Sequence, residues 1–423
     1  MNRWRRIIPA AFVMYTIAYI DRTNFSLAIP ALQADLSLSS QYAGIAAGVF
    51  FFGYFIFQIP GGHLAQKWSA RKYIFWSLLA WGAFATLCGL ARSVEELLVY
   101  RFCLGLAEGG VWPATMVLLS NWFPGEERAR AGGYWVLCQP IVVSNPISGW
   151  LLDHYSWRVM FVAEGLLPVV FAPLWLWAVK DSPAEASWVK DQERLYLKQA
   201  LQQEKEPIDR HESKGLRGVL SDSNILLFIV LDICFACGAY GLLMWLPTAI
   251  HSFRSSNNVV VGILSALPYL AACFGSVYNS RHSDFKRERK FHVAIPCVVA
   301  GLCLMLGALW GGTFPALSLL LLCATGGGVY AAIGPMWALL TEILPRHSAG
   351  IALGVVNGMA NLGGFVGPYL VGMLRDRTQS FVPGFVFLSL SLVVSGLLTL
   401  LVRQSAYPSR GELSLHAAQS KVK

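Results

Sequence analysis

Long apolar runs alternate with short polar gaps along almost the whole chain. The runs predict membrane-spanning helices near 7–31, 42–65, 73–91, 97–122, 131–153, 158–179, 224–249, 259–280, 291–312, 315–343, 348–374 and 380–402. A spanning helix needs about 20 largely apolar residues, and each run meets that length. An even number of spans puts both chain ends on one side. One polar stretch is longer than the rest. From Lys180 to Asn224 the chain is charged and helix-forming, and it separates six spans from six. The pattern divides the chain into a six-helix bundle over 1–180, a linker over 181–223 with an amphipathic helix around 185–204, a second bundle over 224–403 and a tail over 404–423. The halves echo each other. A glycine followed by a tight basic loop separates the second and third runs of each half, in "GGHLAQKWSARK" (Gly61–Lys72) and "GSVYNSRHSDFKRERK" (Gly275–Lys290). The expected fold is an all-α membrane protein, with two pseudo-symmetric six-helix bundles around a central cavity.

Composition agrees with this pattern. The 423 residues are 55% hydrophobic and 13% charged, where a soluble domain carries about 25% charged residues. The net charge of +9 does not indicate nucleic acid binding, because the basic residues sit in the gaps between apolar runs. Of the 33 Lys and Arg, Arg22 and Arg101 lie inside helices, five fall in loops on the side away from the termini, and 26 fall on the termini side. That bias places both termini in the cytoplasm. The start, "MNRWRR", imitates a secretory leader, but Asp21 and Arg22 interrupt the run and it reads as a retained first helix. The nine cysteines all lie in apolar segments, so "CFAC" at Cys234–Cys237 reads as buried small residues, without a disulfide or metal role. No metal-ligand cluster, nucleophile motif or phosphate loop appears, so no catalytic residue, metal or cofactor is expected and the chain reads as no enzyme.

The candidate chemistry lies in charges inside the apolar runs. Asp21 and Arg22 stand side by side in the first span, although a charge at bilayer depth costs roughly 2.5–3.5 kcal/mol on insertion scales. Neighbours on a helix point about 100° apart, so the two need not satisfy each other. Arg101 and Glu108 are seven apart, on one helix face and roughly 10.5 Å apart along the axis. Either set can serve as structural ion pairs or as transport machinery. Asp232 is left open between a local partner and substrate selectivity. Glu164 reads as a structural acid between helices.

Several stretches resemble the major facilitator superfamily, whose loop pattern G-x-L-A-D-R-x-G-R-R-K is matched here by Gly62, Leu64, Ala65, Lys67 and Arg71. Gln66 stands where the family has aspartate, and Ser69 replaces the second glycine. The second copy keeps the acid as Asp284. "YIDRTN", "YFIFQIPGG", "RFCLGLAEGGVWPA", "NWFPGEERARA", "YGLLMWLP" and "GVVNGMANLGGFVGP" are similar to its anion:cation symporter branch. "GILSALPYLAACFGSVYNSRHSD" is most similar to the 4-hydroxyphenylacetate, phthalate and tartrate permeases. The resemblance implies Arg22, Tyr54, Gln139, Trp337 and Asn357 as substrate contacts. It implies Asp21 and Glu108 as protonation sites with Arg101 beside them, and Lys67, Arg71, Asp284 and Arg289 as gate residues.

The implied activity is import of a small organic acid by proton symport through alternating access, in a bacterial inner membrane. An aromatic acid such as 4-hydroxyphenylacetate leads; hydroxy-dicarboxylates and sugar acids follow. The partners are then that acid and the lipid bilayer, with protons as coupling ion, no nucleic acid and a monomeric chain. Arginine suits an organic anion because its planar fork stays charged. The expected switch pairs Arg101 with an ionised Glu108 and releases it on protonation. A non-transporting receptor for an organic acid and a drug efflux antiporter are the other readings. The 180–224 loop is short for a signalling domain. Helix 5, "GGYWVLCQPIVVSNPISG", lacks the G-x-x-x-G-P pattern of antiporters.

Overall fold

The computed structural model describes residues 2–136, 144–203, 220–253, 257–310, 313–344 and 349–403, all in helices and short connections. The first half comprises α1 (Asn2–Asp35), α2 (Ser40–Lys67), α3 (Ala70–Leu90), α4 (Val94–Gly109), α5 (Val111–Trp122), α6 (Gly125–Val136), α7 (Ser144–His154) and α8 (Trp157–Ala178). A linker helix α9 (Asp191–Gln203) follows. The second half comprises α10 (Ser223–Phe253), α11 (Asn258–Lys286), α12 (Lys290–Trp310), α13 (Pro315–Ile343), α14 (Ala349–Thr378) and α15 (Val382–Leu401). Nine spans among the described residues are long and apolar enough to cross a membrane, α4 and α5 counting as one. The remaining three of the expected twelve are α1, where Asp21 and Arg22 interrupt the apolar run, α14, and the stretch of α6 and α7, between which residues 137–143 lie outside the described residues.

Local chemistry sets the helix starts. Ser39, Ser69, Ser93, Ser156 and Asn257 each accept a hydrogen bond from a backbone N–H of the first turn of α2, α3, α4, α8 and α11. Such caps satisfy donors that a helix start otherwise leaves unpaired. Gly110 separates α4 from α5 within one span, and Pro113 follows three residues later. Pro113 thus sits in the first turn of α5, where a helix has no partner for the N–H that proline lacks. The linker helix begins at Asp191, later than expected, because Pro183–Glu185 forms a separate 3-10 turn. Arg3, fully buried, pairs with Glu127 at 2.7 Å and with Glu193 at 3.0 Å, which pins α9 beneath the first half. Residues 204–219 and the tail 404–423 lie outside the described residues.

The halves repeat one packing scheme. α3 lies along α8 as α12 lies along α15, and α2 along α4 as α11 along α13. The halves meet through two equivalent seams, α2 with α14 and α7 with α11, while α1 also touches α10. Small residues allow close approach there. A Cβ on Gly44 would stand 2.5 Å from the Pro368 carbonyl oxygen, and one on Gly262 would stand 2.9 Å from the Asn145 carbonyl carbon.

Both seams are latched at the end away from the termini. Asp376, at the end of α14, accepts hydrogen bonds from the backbone N–H groups of Ser40 (2.9 Å) and Gln41 (2.7 Å) at the start of α2. Asp153 does the same for α11, accepting from the backbone N–H of Asn258 (2.9 Å) and Val259 (2.9 Å). Each carboxylate of one half therefore caps a helix of the other, where the helix dipole favours negative charge. Burial opposes ionisation of Asp376, but hydrogen bonds from Gln41, Ser39 and Ser40 outweigh it and hold the carboxyl below the usual aspartate range. A group lowered in this way stabilises the latch above its ordinary value of about 4 and loses that contribution as pH falls through the lowered one.

Losing one such cap costs about 0.5–2 kcal/mol. The double variant Asp153→Ala/Asp376→Ala is therefore expected to shift the seam toward its open form by roughly tenfold or more. Cysteines placed along α2 and α14 should then label faster from that side. Unchanged labelling would show that glycine packing alone closes the seam.

Candidate functional site

Between the halves lies a cavity of about 140 Å³. From the first half it receives Tyr15, Tyr19 and Arg22 of α1, Phe51 and Tyr54 of α2, and Trp112 of α5. Tyr15, Tyr19 and Arg22 follow i, i+4, i+7 spacing, which stacks them on one helix face. The second half contributes Asp232 and Tyr240 of α10, Tyr269 of α11, Tyr330 and Trp337 of α13, and Asn357 and Asn361 of α14. Aliphatic residues of the second half, among them Leu242, Leu243, Leu246 and Ile333, complete walls in which aromatic rings, six of them tyrosines, alternate with apolar side chains.

Arg22 is only 3% exposed and lies among rings. Its guanidinium carbon is 4.8 Å from the Tyr19 ring centre, 5.4 Å from those of Phe50 and Tyr54, and 6.0 Å from that of Tyr15. Such faces attract a cation. The same guanidinium forms a short ion pair with Glu108 of α4, which is fully buried. The pairing leaves Arg22 Nε and Glu108 Oε2 without hydrogen-bond partners among the described residues. Asp21 points the other way, as the 100° offset requires, and accepts a hydrogen bond from Trp81 Nε1 of α3. Its second oxygen is unpartnered among the described residues.

Arg101 does not take the partner expected for it. Its Nε donates to the Ala46 carbonyl at 3.2 Å, and its guanidinium lies 4.2 Å from the Phe25 ring centre and 5.0 Å from that of Phe50. Two helical turns separate it from Glu108, so Glu108 reaches the level of Arg22 while Arg101 reaches that of Phe25. Arg101 does not line the cavity. The expected Arg101–Glu108 switch is therefore replaced by an Arg22–Glu108 pair between α1 and α4.

The structure gathers Arg22, Tyr54, Trp337 and Asn357 on one cavity wall or another, with Glu108 directly behind Arg22. Gln139 lies outside the described residues. Asn361 was not singled out from the sequence. Its side-chain amide donates to Gln58 Oε1 of α2 at 3.2 Å and to the Asn357 carbonyl at 2.7 Å, so it links the halves. The signal was present in "NGMAN", which puts two asparagines one turn apart. Glu164 accepts from Ser148 at 2.6 Å and ties α7 to α8, as a structural acid would.

Among the described residues, the gate residues are not joined across the halves. Arg289 pairs with Asp284 at 2.6 Å and with Glu342 at 3.0 Å, all within the second half. Arg71 donates to the Leu176 carbonyl at 2.5 Å, and its backbone N–H to Asp181 at 2.9 Å, all within the first half. Lys67 is exposed. The physical reason is the state of the molecule: the seams are latched at the far end, and the basic loops lie at the other.

Comparison with known proteins follows this geometry. Residues 11–368 match the family model described as Major Facilitator Superfamily. The chain is similar to a quinolone resistance transporter of Acinetobacter baumannii, 30% identical over 406 residues that cover 94% of this chain and 93% of that protein. It is similar to a putative tartrate transporter of Agrobacterium vitis, 31% identical over 417 residues that cover 97% and 95%. Among solved structures it is similar to the inward open conformation of the xylose transporter XylE from E. coli, with a TM-score of 0.77, 17% identity and coverage of 97% and 98%.

Proposed function

Because the chain belongs to the major facilitator superfamily, we propose that it imports a small organic acid anion by proton symport, through alternating exposure of the central cavity. The observation that carries this reading is the Arg22–Glu108 pair at the cavity wall. A substrate carboxylate entering the cavity competes with Glu108 for the guanidinium fork. Once displaced, Glu108 is a buried carboxylate with no cation, and it takes up a proton in preference to carrying a bare charge. Binding of the anion and of the proton are then one event. Asp21, within electrostatic reach of Glu108 and Arg101, is the second proton site.

The energetics support symport. Moving one negative charge inward against an inside-negative potential costs about 2.3 kcal/mol per 100 mV. One proton per anion makes the step electrically neutral, and two make the potential drive uptake. With both termini in the cytoplasm, as the basic residues indicate, the latched seams face outward and the cavity faces inward. A relative named as an inner membrane transport protein of Escherichia coli, 28% identical, supports the bacterial inner membrane as its location.

The ring-lined walls favour an aromatic acid, with 4-hydroxyphenylacetate the leading example. A relative named as a tartrate transporter supports a hydroxy-dicarboxylate as the next choice. Efflux of a quinolone is the second reading, favoured by the relative named for quinolone resistance. A quinolone is also an aromatic carboxylate, and Arg22 would serve it in the same way.

The test is uptake by purified protein in liposomes across a panel of labelled carboxylic acids, with an imposed inward proton gradient. Gradient-dependent accumulation of an acid is the expected result. Binding without flux would make the cavity a receptor site. Protection of cells against quinolones with no acid uptake would favour efflux.

A further inference from the structure

The cavity holds a second ionisable group with no assigned role. Asp232 of α10 lines it, only 4% exposed, and no cation or hydrogen-bond donor among the described residues reaches its carboxyl. We propose that Asp232 binds a hydrogen-bond donor, hydroxyl or ammonium, at the end of the substrate remote from the carboxylate held by Arg22, and so selects donor-bearing monocarboxylates against dicarboxylates. This rests on the organic-acid reading above and narrows its substrate class.

Three features of the cavity support the assignment. First, the two groups belong to opposite halves, Arg22 to α1 and Asp232 to α10, so one ligand that touches both bridges the halves. Second, Tyr240 lines the same cavity. It is within electrostatic reach of Arg22, Glu108 and Asp232, and its ring stands 4.4 Å from that of Phe51. Eight residues separate Asp232 from Tyr240, about 12 Å along the helix. An aromatic acid with a substituent opposite its carboxylate would bridge the two halves by lying along the tyrosine. Third, a buried carboxyl with no partner discriminates. It offers no cation to a second carboxylate, and its acceptor oxygen is left unpaired when the ligand lacks a donor. A site built to bond a hydroxyl rejects the analogue without one far more strongly than an apolar pocket does.

The experiment uses the full chain in liposomes, with wild type, Asp232→Ala and Asp232→Asn compared by competition for uptake. The probes are phenylacetate, 4-hydroxyphenylacetate, benzoate, 4-(aminomethyl)benzoate, succinate and tartrate. Wild type is expected to favour each donor-bearing aromatic acid over its parent by roughly tenfold or more. It is expected to disfavour both dicarboxylates. The hydroxyl and ammonium pairs tell which donor is preferred. In Asp232→Ala the preference should fall to about twofold or less while phenylacetate uptake persists, which also shows that the variant is folded. Asp232→Asn, which keeps the shape and adds a fixed N–H donor, should accept dicarboxylates better than wild type. Unchanged selectivity in both variants, or a wild type that prefers tartrate, overturns the Asp232 assignment and leaves organic acid transport standing. No flux of any acid by wild type overturns the organic-acid reading, and the assignment with it.

Discussion

Arg22→Ala is expected to lower substrate uptake at least about 100-fold, with protein still inserted in the membrane. Two losses combine. The substrate carboxylate loses a charge-assisted hydrogen bond, of the kind worth about 1.5–3 kcal/mol. Glu108 loses its partner as well, and breaking a buried ion pair by removing one member costs about 3–5 kcal/mol. Glu108 answers by holding its proton permanently, so the coupled cycle stops. Arg22→Lys separates charge from geometry. A lysine keeps the positive charge and lacks the planar fork that grips a carboxylate at two points, so partial uptake with weaker affinity is expected. Initial uptake rates, normalised to protein recovered in the liposomes, measure both. Uptake by Arg22→Ala within about threefold of wild type would place the anion site elsewhere in the cavity.

Glu108→Gln carries the second large effect, and it separates binding from coupling. Glutamine fills the same space and cannot exchange a proton, so accumulation driven by a proton gradient should be lost. Arg22 is no longer held by a competing carboxylate, so substrate should bind at least as tightly as in wild type. Exchange of external label against substrate already inside the liposome needs no net proton movement and should persist. Counterflow and gradient-driven uptake, measured on the same preparation, give the two readings. Intact accumulation by Glu108→Gln would exclude Glu108 as the coupling group and shift that role to Asp21.

The sequence was informative wherever a residue's own neighbours decide its place. Twelve apolar runs in two sets of six follow from local composition, and nine described spans meet a strict apolar criterion. α1 falls short of that criterion because it carries Asp21 and Arg22. The 100° offset within a helix correctly separates Asp21, toward Trp81, from Arg22, toward Glu108. What local spacing cannot give is the partner across helices. Arg101 and Glu108 share a face of α4, yet α1 arrives at the level of Glu108 and takes it as the partner of Arg22. The latches of Asp153 and Asp376 were equally hidden, because their partners are backbone N–H groups 105 and 336 residues away. The gate residues are spread for a different reason. A gate joins the halves in one state of a cycle, and here the other end is closed.

The central claim is that substrate and proton exchange places at the Arg22–Glu108 pair. The most direct measurement is proton uptake on adding a transported acid to purified protein in weakly buffered solution, followed with a pH-sensitive dye. The account predicts close to one proton taken up per carboxylate bound in wild type, and none in Glu108→Gln, which should still bind the acid. Saturable binding by wild type with no proton uptake would contradict it.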